Sequence, residues 1–198
     1  LPEIPVFVDS PLAVNLTEVF RNNPECYDKE TISFDQTHGD PFGFSRLTMV
    51  ESVDESKAIN DLDSSAIIIS ASGMCEAGRI LHHLRNNIGD PKNTVVIVGY
   101  QAPHTLGRRL VEKRDTVRIF GLQRELRCEV KVLNAFSAHA DQDDLVWWAK
   151  QCGPKVKTFY LVHGDPTPCR ALATLLQAEG KTAIIPERGH IAHLAQLV

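Results

Sequence analysis

Two rhythms of apolar residues take turns along this 198-residue chain. Short apolar runs, which suit buried strands, give way to stretches with apolar residues at intervals of three and four, which suit helices. The run "IPVFVDS" closes on Asp9 and Ser10, and "PLAVNLTEVFR" then sets Pro11 at a helix start. A polar segment with Pro24, Gly39, Pro41 and Gly43 follows, read as a helix from about Pro24 and then a loop. "RLTMVES" and "SAIIISAS" are the next strands. The second lacks alternation, as expected of a parallel strand covered on both faces. "MCEAGRILHHLRNNI" predicts an amphipathic helix, "NTVVIVGY" another buried strand and "TLGRRLVEK" a short helix. "TVRIFG" and "ELRCEVKVLNAF" alternate, which predicts two antiparallel strands. The last third repeats the opening rhythm: helix "QDDLVWWAKQC", strand "VKTFYLVHG", helix "PTPCRALATLLQAEG", and one or two strands in "KTAIIPERGHIAHL". Such alternation specifies an α/β sheet architecture.

Composition adds little to that picture, since 43% hydrophobic and 23% charged residues describe an ordinary globular chain of one large or two small domains. No run approaches the about 18 to 20 uninterrupted apolar residues of a membrane helix, and "LPEIPVFVDS" lacks the features of a signal peptide. The expected location is cytoplasmic. A start at Leu1, directly before a strand, suggests a piece of a longer protein. The five cysteines (Cys26, Cys75, Cys128, Cys152, Cys169) are scattered without a C-x-x-C pair and read as free thiols. Charge does change the picture, because its distribution differs from its sum of −4. Residues 1–65 carry 13 acids against 4 bases, whereas residues 100–131 carry 8 bases against 4 acids. That second stretch is a local basic stripe, which phosphate contacts require and which solvated surfaces also show.

Ligands of open α/β sheets gather at the carboxyl ends of strands, and three such ends stand out. In "IIISASGM", Ser70 to Gly73 form a small-residue turn, readable as a tight turn capped by Ser72 and as a phosphate cradle. In "VGYQAPHTLGR", Arg108 and Arg109 stand where a nucleic-acid backbone is met. In "YLVHGDPTP", His163 follows an apolar run, a common place for a metal ligand, while Asp165 before Pro166 reads as an N-cap. Asp141-x-x-Asp144 reads first as a capping box. Singly, His139 and His163 favour structural roles. His38, His82, His83, His104, His190 and His193 show no ligand spacing, and neither H-x-H-x-D-H nor H-E-x-x-H occurs.

Taken together and in order, "PVFVDSPLA", "IIISASGMCEAGRILHHLRNNIGDPKNTVVIVGYQAPHTLGRRL", "VRIFG", "FSAHADQDDL" and "LVHGD" resemble the β-CASP branch of the metallo-β-lactamase superfamily, which holds RNA-processing nucleases. The resemblance runs nearly the whole length. It implies a β-CASP domain over residues 1–137, with a mainly parallel sheet flanked by helices. Residues 138–198 would then be the C-terminal part of a metallo-β-lactamase αββα fold. It also implies that the chain is part of a zinc-dependent ribonuclease hydrolysing RNA phosphodiester bonds, by internal or terminal cleavage. Catalytic His139 would lie near the scissile phosphate and His163 would ligate one of two zinc ions. The zinc pair would activate a water for in-line attack, with His139 polarising the phosphate or protonating the leaving oxygen. Ser72, Gly73, Ser137, Arg108 and Arg109 would hold RNA phosphates in the cleft between the domains. RNA is the implied partner, without a membrane, and a homodimer is a compatible assembly.

The departures are informative. The superfamily's H-x-H-x-D-H signature and the family's acidic residue just upstream of the first strand are absent, and one histidine cannot hold a zinc pair. The chain alone is therefore expected to be inactive. Ala135 and Asp165 stand where glycine and glutamate are common. The alternative reading is a noncatalytic RNA-binding or scaffolding subunit, against which the retention of both histidines argues. A metallo-hydrolase acting on a small ester or lactam fits the basic stripe less well.

Overall fold

A computed structural model describes residues 3–136, 139–156 and 158–192. The chain divides into two compact units, Leu1–Ser137 and Ala138–Val198. In the first, strand β1 (Val6–Asp9) feeds helix α1 (Pro11–Arg21), whose N-cap Ser10 accepts the Ala13 N–H at 3.3 Å. A 3-10 turn (Pro24–Cys26) precedes α2 (Lys29–His38), capped by Asp28, so the expected helix from about Pro24 starts later and breaks into two pieces. Strand β2 (Leu47–Met49) is followed by α3 (Val53–Ala58), which opens on a Ser52–Glu55 capping box, and then by β3 (Ile67–Ser70). These three strands form one parallel sheet in the order β2-β1-β3, with Val6 opposite Leu47 and Ile67.

Helix α4 (Ile80–Asn87) leads to β4 (Thr94–Ile97), α5 (Leu106–Val111) and the strands β5 (Thr116–Ile119), β6 (Leu122–Glu125) and β7 (Glu129–Val132). The antiparallel partner of β5 is β6, whereas β7 pairs in parallel with β4. The expectation of two antiparallel strands in "TVRIFG" and "ELRCEVKVLNAF" is thus corrected: hairpin pairing is satisfied within residues 116–125, which frees β7 to join the other sheet. The core of this unit gathers Leu84 of α4 and its C-cap Ile88, with Ile97, Leu106, Leu110, Val117, Ile119 and Val130. Strand β3 and strand β4 with the residue that follows it are covered on one face only among the described residues. Ile67, Ile69, Val96 and Val98 alternate outward and are each about half exposed, against the expectation of burial on both faces.

The second unit repeats the pattern in miniature. Helix α6 (Gln142–Gln151), strand β8 (Thr158–Tyr160), α7 (Pro166–Ala178) and β9 (Thr182–Ile184) bring β8 and β9 into a parallel pair. Its small core is Ala149, Phe159 and Leu176. Every ladder among the described residues except the β5-β6 hairpin is parallel, which places the strand carboxyl ends of each sheet together. No helix among the described residues is long and apolar enough to cross a membrane.

Candidate functional site at the strand ends

The turn after β3 is a closed loop with its own bonding. Ser72 N–H donates to the Ala77 carbonyl at 3.1 Å, Cys75 N–H to the Ser72 carbonyl at 3.0 Å, and the Ser72 hydroxyl accepts from Glu76 and Ala77 N–H, each at 3.3 Å. Ser72 is therefore a cap, as expected, but of this loop and not of α4. The expected helix over 74–88 begins only at Ile80, because Cys75 and Gly78 hold φ values of 58° and 80°, outside the right-handed helix. A side chain at Gly78 would meet the Ala71 carbonyl oxygen at 2.6 Å. The loop thus spends the amides of Glu76 and Ala77 on itself, and it leaves Ser72 half-buried and Gly73 exposed. A hydroxyl that accepts twice still has its O–H to donate.

The turn after β4 is stitched to this loop. Gln101, buried, directs Nε2 at the carbonyls of Gly73 (3.0 Å), Tyr100 (3.0 Å) and Gly99 (3.2 Å), and Gly107 N–H donates to the Met74 carbonyl at 3.0 Å. Leu106 N–H donates to the Glu76 carboxylate. The structure therefore joins two of the three predicted strand ends, and with them Ser72, Gly73 and the helix that carries Arg108 and Arg109. The basic stripe is less bare than its sequence. Arg108 and Arg114 share Glu112, each at 2.9 Å, Arg127 pairs with Glu125 at 2.6 Å and Lys131 with Glu129 at 2.7 Å. Hydrogen bonds from Arg108 and then Arg114 hold the Glu112 carboxyl below its ordinary range. Arg109 donates to the His104 carbonyl at 3.3 Å.

Both singled-out histidines belong to the second unit. His163, exposed, follows β8 with a left-handed backbone at φ 66°, an uncommon state for a side-chain-bearing residue. Exposed His139 follows a 3-10 turn (Asn134–Phe136), so the strand expected to run through Phe136 ends instead at Val132. Two residues on, Asp141 caps α6 through Asp143 N–H (2.9 Å) and Asp144 N–H (3.0 Å), and Asp144 returns the bond to Asp141 N–H, completing the predicted box. Asp165 holds the N-cap position of α7 with Pro166 in its first turn. Ser137 and His193 lie outside the described residues. Among the described residues no three His, Cys, Asp or Glu side chains gather to hold a metal ion. The cysteines are free thiols, and burial pushes Cys75 up to about 11, which leaves it unreactive.

Sequence reasoning passed over a buried charge. Asp9, fully buried at the end of β1, accepts from the Ser56 hydroxyl at 2.6 Å, from His83 Nε2 at 2.6 Å and from Arg79 at 2.5 Å. Arg79 also donates to the carbonyls of Val50 (3.1 Å) and Glu51 (2.7 Å). Burial alone would raise the Asp9 pKa, but the hydrogen bonds from Ser56, His83 and Arg79 outweigh it and hold the carboxyl below its ordinary 3.8. The carboxylate is then acceptor-only, so His83 Nε2 is the donor. A hint of this network was the charged Arg79 entering an apolar helix beside a strand that ends in aspartate.

These features define an α/β protein whose polar side chains collect at the carboxyl ends of parallel strands. Residues 1–110 match the Beta-Casp domain family, and residues 124–186 match the family described as the Zn-dependent metallo-hydrolase RNA specificity domain. The chain belongs to the β-CASP family of the metallo-β-lactamase superfamily. It is similar to Ribonuclease TTHA0252 of Thermus thermophilus, 35% identical over 189 residues that cover 96% of this chain and 43% of that protein. It is also similar to an RNase J-like protein of Methanocaldococcus jannaschii, 30% identical over 96% of this chain and 43% of that protein. Transcription termination factor FttA of Methanosarcina mazei is 28% identical over 88% of this chain and 28% of its own length. The chain spans less than half the length of these relatives.

Proposed function

We propose that this chain is the C-terminal part of a zinc-dependent ribonuclease. In this reading residues 1–137 form the β-CASP domain, which grips RNA, and residues 138–198 contribute to the metallo-β-lactamase domain. The observation that carries it is His163, set exposed in a left-handed backbone at the end of β8 within the segment that matches the metallo-hydrolase RNA specificity family. Such conformations cluster at functional sites. His139 lies in the same matched segment.

The described residues do not by themselves make a zinc site, since His163 has no two companions there. What the chain's own residues do is bind and position. Ser72 and Gly73 offer an O–H and backbone to phosphate oxygens, Arg108 and Arg109 add charge that a single strand's backbone attracts, and His139 supplies an imidazole that can donate or accept a proton. In the whole protein, His163→Ala is expected to lower both bound zinc, measured by metal analysis, and cleavage of single-stranded RNA. Zinc content and rate equal to the parent's, in a variant with the parent's unfolding midpoint, would overturn the ligand assignment.

A further inference from the structure

We propose that Gln101 is a positioning residue for RNA, fixing the Ser72–Gly73 turn and the α5 arginines at one spacing so that they meet phosphates of the same strand. The inference rests on the proposed RNA contacts of those residues and adds what holds them in register. Gln101 is 6% exposed, and its Nε2 reaches carbonyls of both loops, Gly73 on one side and Gly99 and Tyr100 on the other. Its Oε1 is buried without a partner among the described residues. An apolar side chain of the same shape would remove the orphaned acceptor but would leave the Gly73, Gly99 and Tyr100 carbonyls without this donor, so the amide sets the spacing of the two loops.

The packing around the amide makes the register narrow. A Cβ at Gly107 would fall 1.7 Å from Gln101 Oε1, so α5 seats its first turn directly on this side chain. Gly107 N–H, one residue before Arg108, bonds the Met74 carbonyl, one residue after Gly73. Arg108 and Gly73 are thus each one residue removed from a shared backbone hydrogen bond, and Gln101 packs against Gly107, the donor of that bond. Exposed arginines on long side chains gain affinity when the elements that carry them are fixed in advance, because less freedom is lost on binding.

The test uses the whole protein, kept free of metal by a chelator so that the strand is bound and not cut, and a short single-stranded oligouridylate, with affinity measured across salt concentrations. Gln101→Met keeps length and shape but removes both the donor and the orphaned acceptor. It is expected to leave the chain folded with a lowered unfolding midpoint, to weaken RNA about tenfold, the loss of one charge-assisted hydrogen bond, and to flatten the salt dependence by about 0.7 for each phosphate no longer met. In that background, Arg108→Gln with Arg109→Gln is expected to cost less affinity than in the parent, a coupling that a merely structural role would not produce. Should Gln101→Met unfold the chain, Gly107→Ala replaces it: the methyl displaces Gln101 while alanine itself favours helix, and the same losses are expected. Parental affinity and salt slope in the folded glutamine or glycine variant, with a loss on arginine removal, would overturn the inference and leave the RNA reading standing. No effect from the arginine pair, or no RNA binding by the parent chain, would remove both.

Discussion

Two charged regions of the first unit use the same residue types to opposite ends. Around Asp9, burial is complete and each carboxylate oxygen has a partner: Arg79 on one, Ser56 and His83 on the other. Along residues 108–131, Arg108, Arg114, Arg127 and Lys131 pair with Glu112, Glu125 and Glu129 while remaining largely in water. In the first region the charges tie together β1, α3, α4 and the carbonyls after β2, and they cannot be lent to a ligand without dismantling the sheet end. In the second, each ion pair is weak enough in water to be exchanged for a phosphate. Burial, more than charge, separates the charges committed to holding shape from those left exchangeable in water.

The comparison breaks most visibly at Asp9. Asp9→Ala leaves Arg79 and His83 facing an uncompensated void, and removing one partner of a buried pair costs about 3 to 5 kcal/mol. Urea unfolding followed by circular dichroism should show that loss, and a shift no larger than a surface substitution gives would refute the division. Acid offers a second, smaller test. A carboxyl held below 3.8 stabilises the fold fully above that value, and the contribution disappears as pH falls through its lower folded value. Stability should therefore drop below about pH 3.8, and Asp9→Asn should flatten that acid limb. An unchanged acid limb in the asparagine variant would assign the drop to other carboxylates.

How much of this was legible in sequence follows from the distance over which each interaction acts. Ser10 with Pro11 and Asp141 with Asp144 are local caps, and both were readable because the partners are three residues apart or fewer. The Ser52–Glu55 box was equally local, yet the strand pattern of "RLTMVES" overran it and hid α3. Asp9 finds its partners 47, 70 and 74 residues away, and no period in the sequence points to them. The same holds for Gln101 and Gly73, brought together only once β3 and β4 have placed their carboxyl ends. Of the candidate site, the turns after β3 and β4 were legible as places in the fold; the engagement of their side chains, such as Glu112 occupying Arg108, was not.

The smallest effect tests the other half of the comparison. Glu112 accepts from Arg108 Nε at 2.9 Å and from Arg114 at 2.9 and 3.1 Å, all at the surface. If these pairs are as exchangeable as their exposure implies, Glu112→Gln releases two guanidinium groups without disturbing the fold. The unfolding midpoint should stay where it is, since exposed pairs add little to stability. Affinity for single-stranded RNA should rise, and its salt dependence should steepen by about 0.7 for each phosphate newly met. A variant with the parent's affinity and slope would show that neutralising Glu112 brings no arginine to RNA, and the stripe would then be a solvated face whose charges serve only one another.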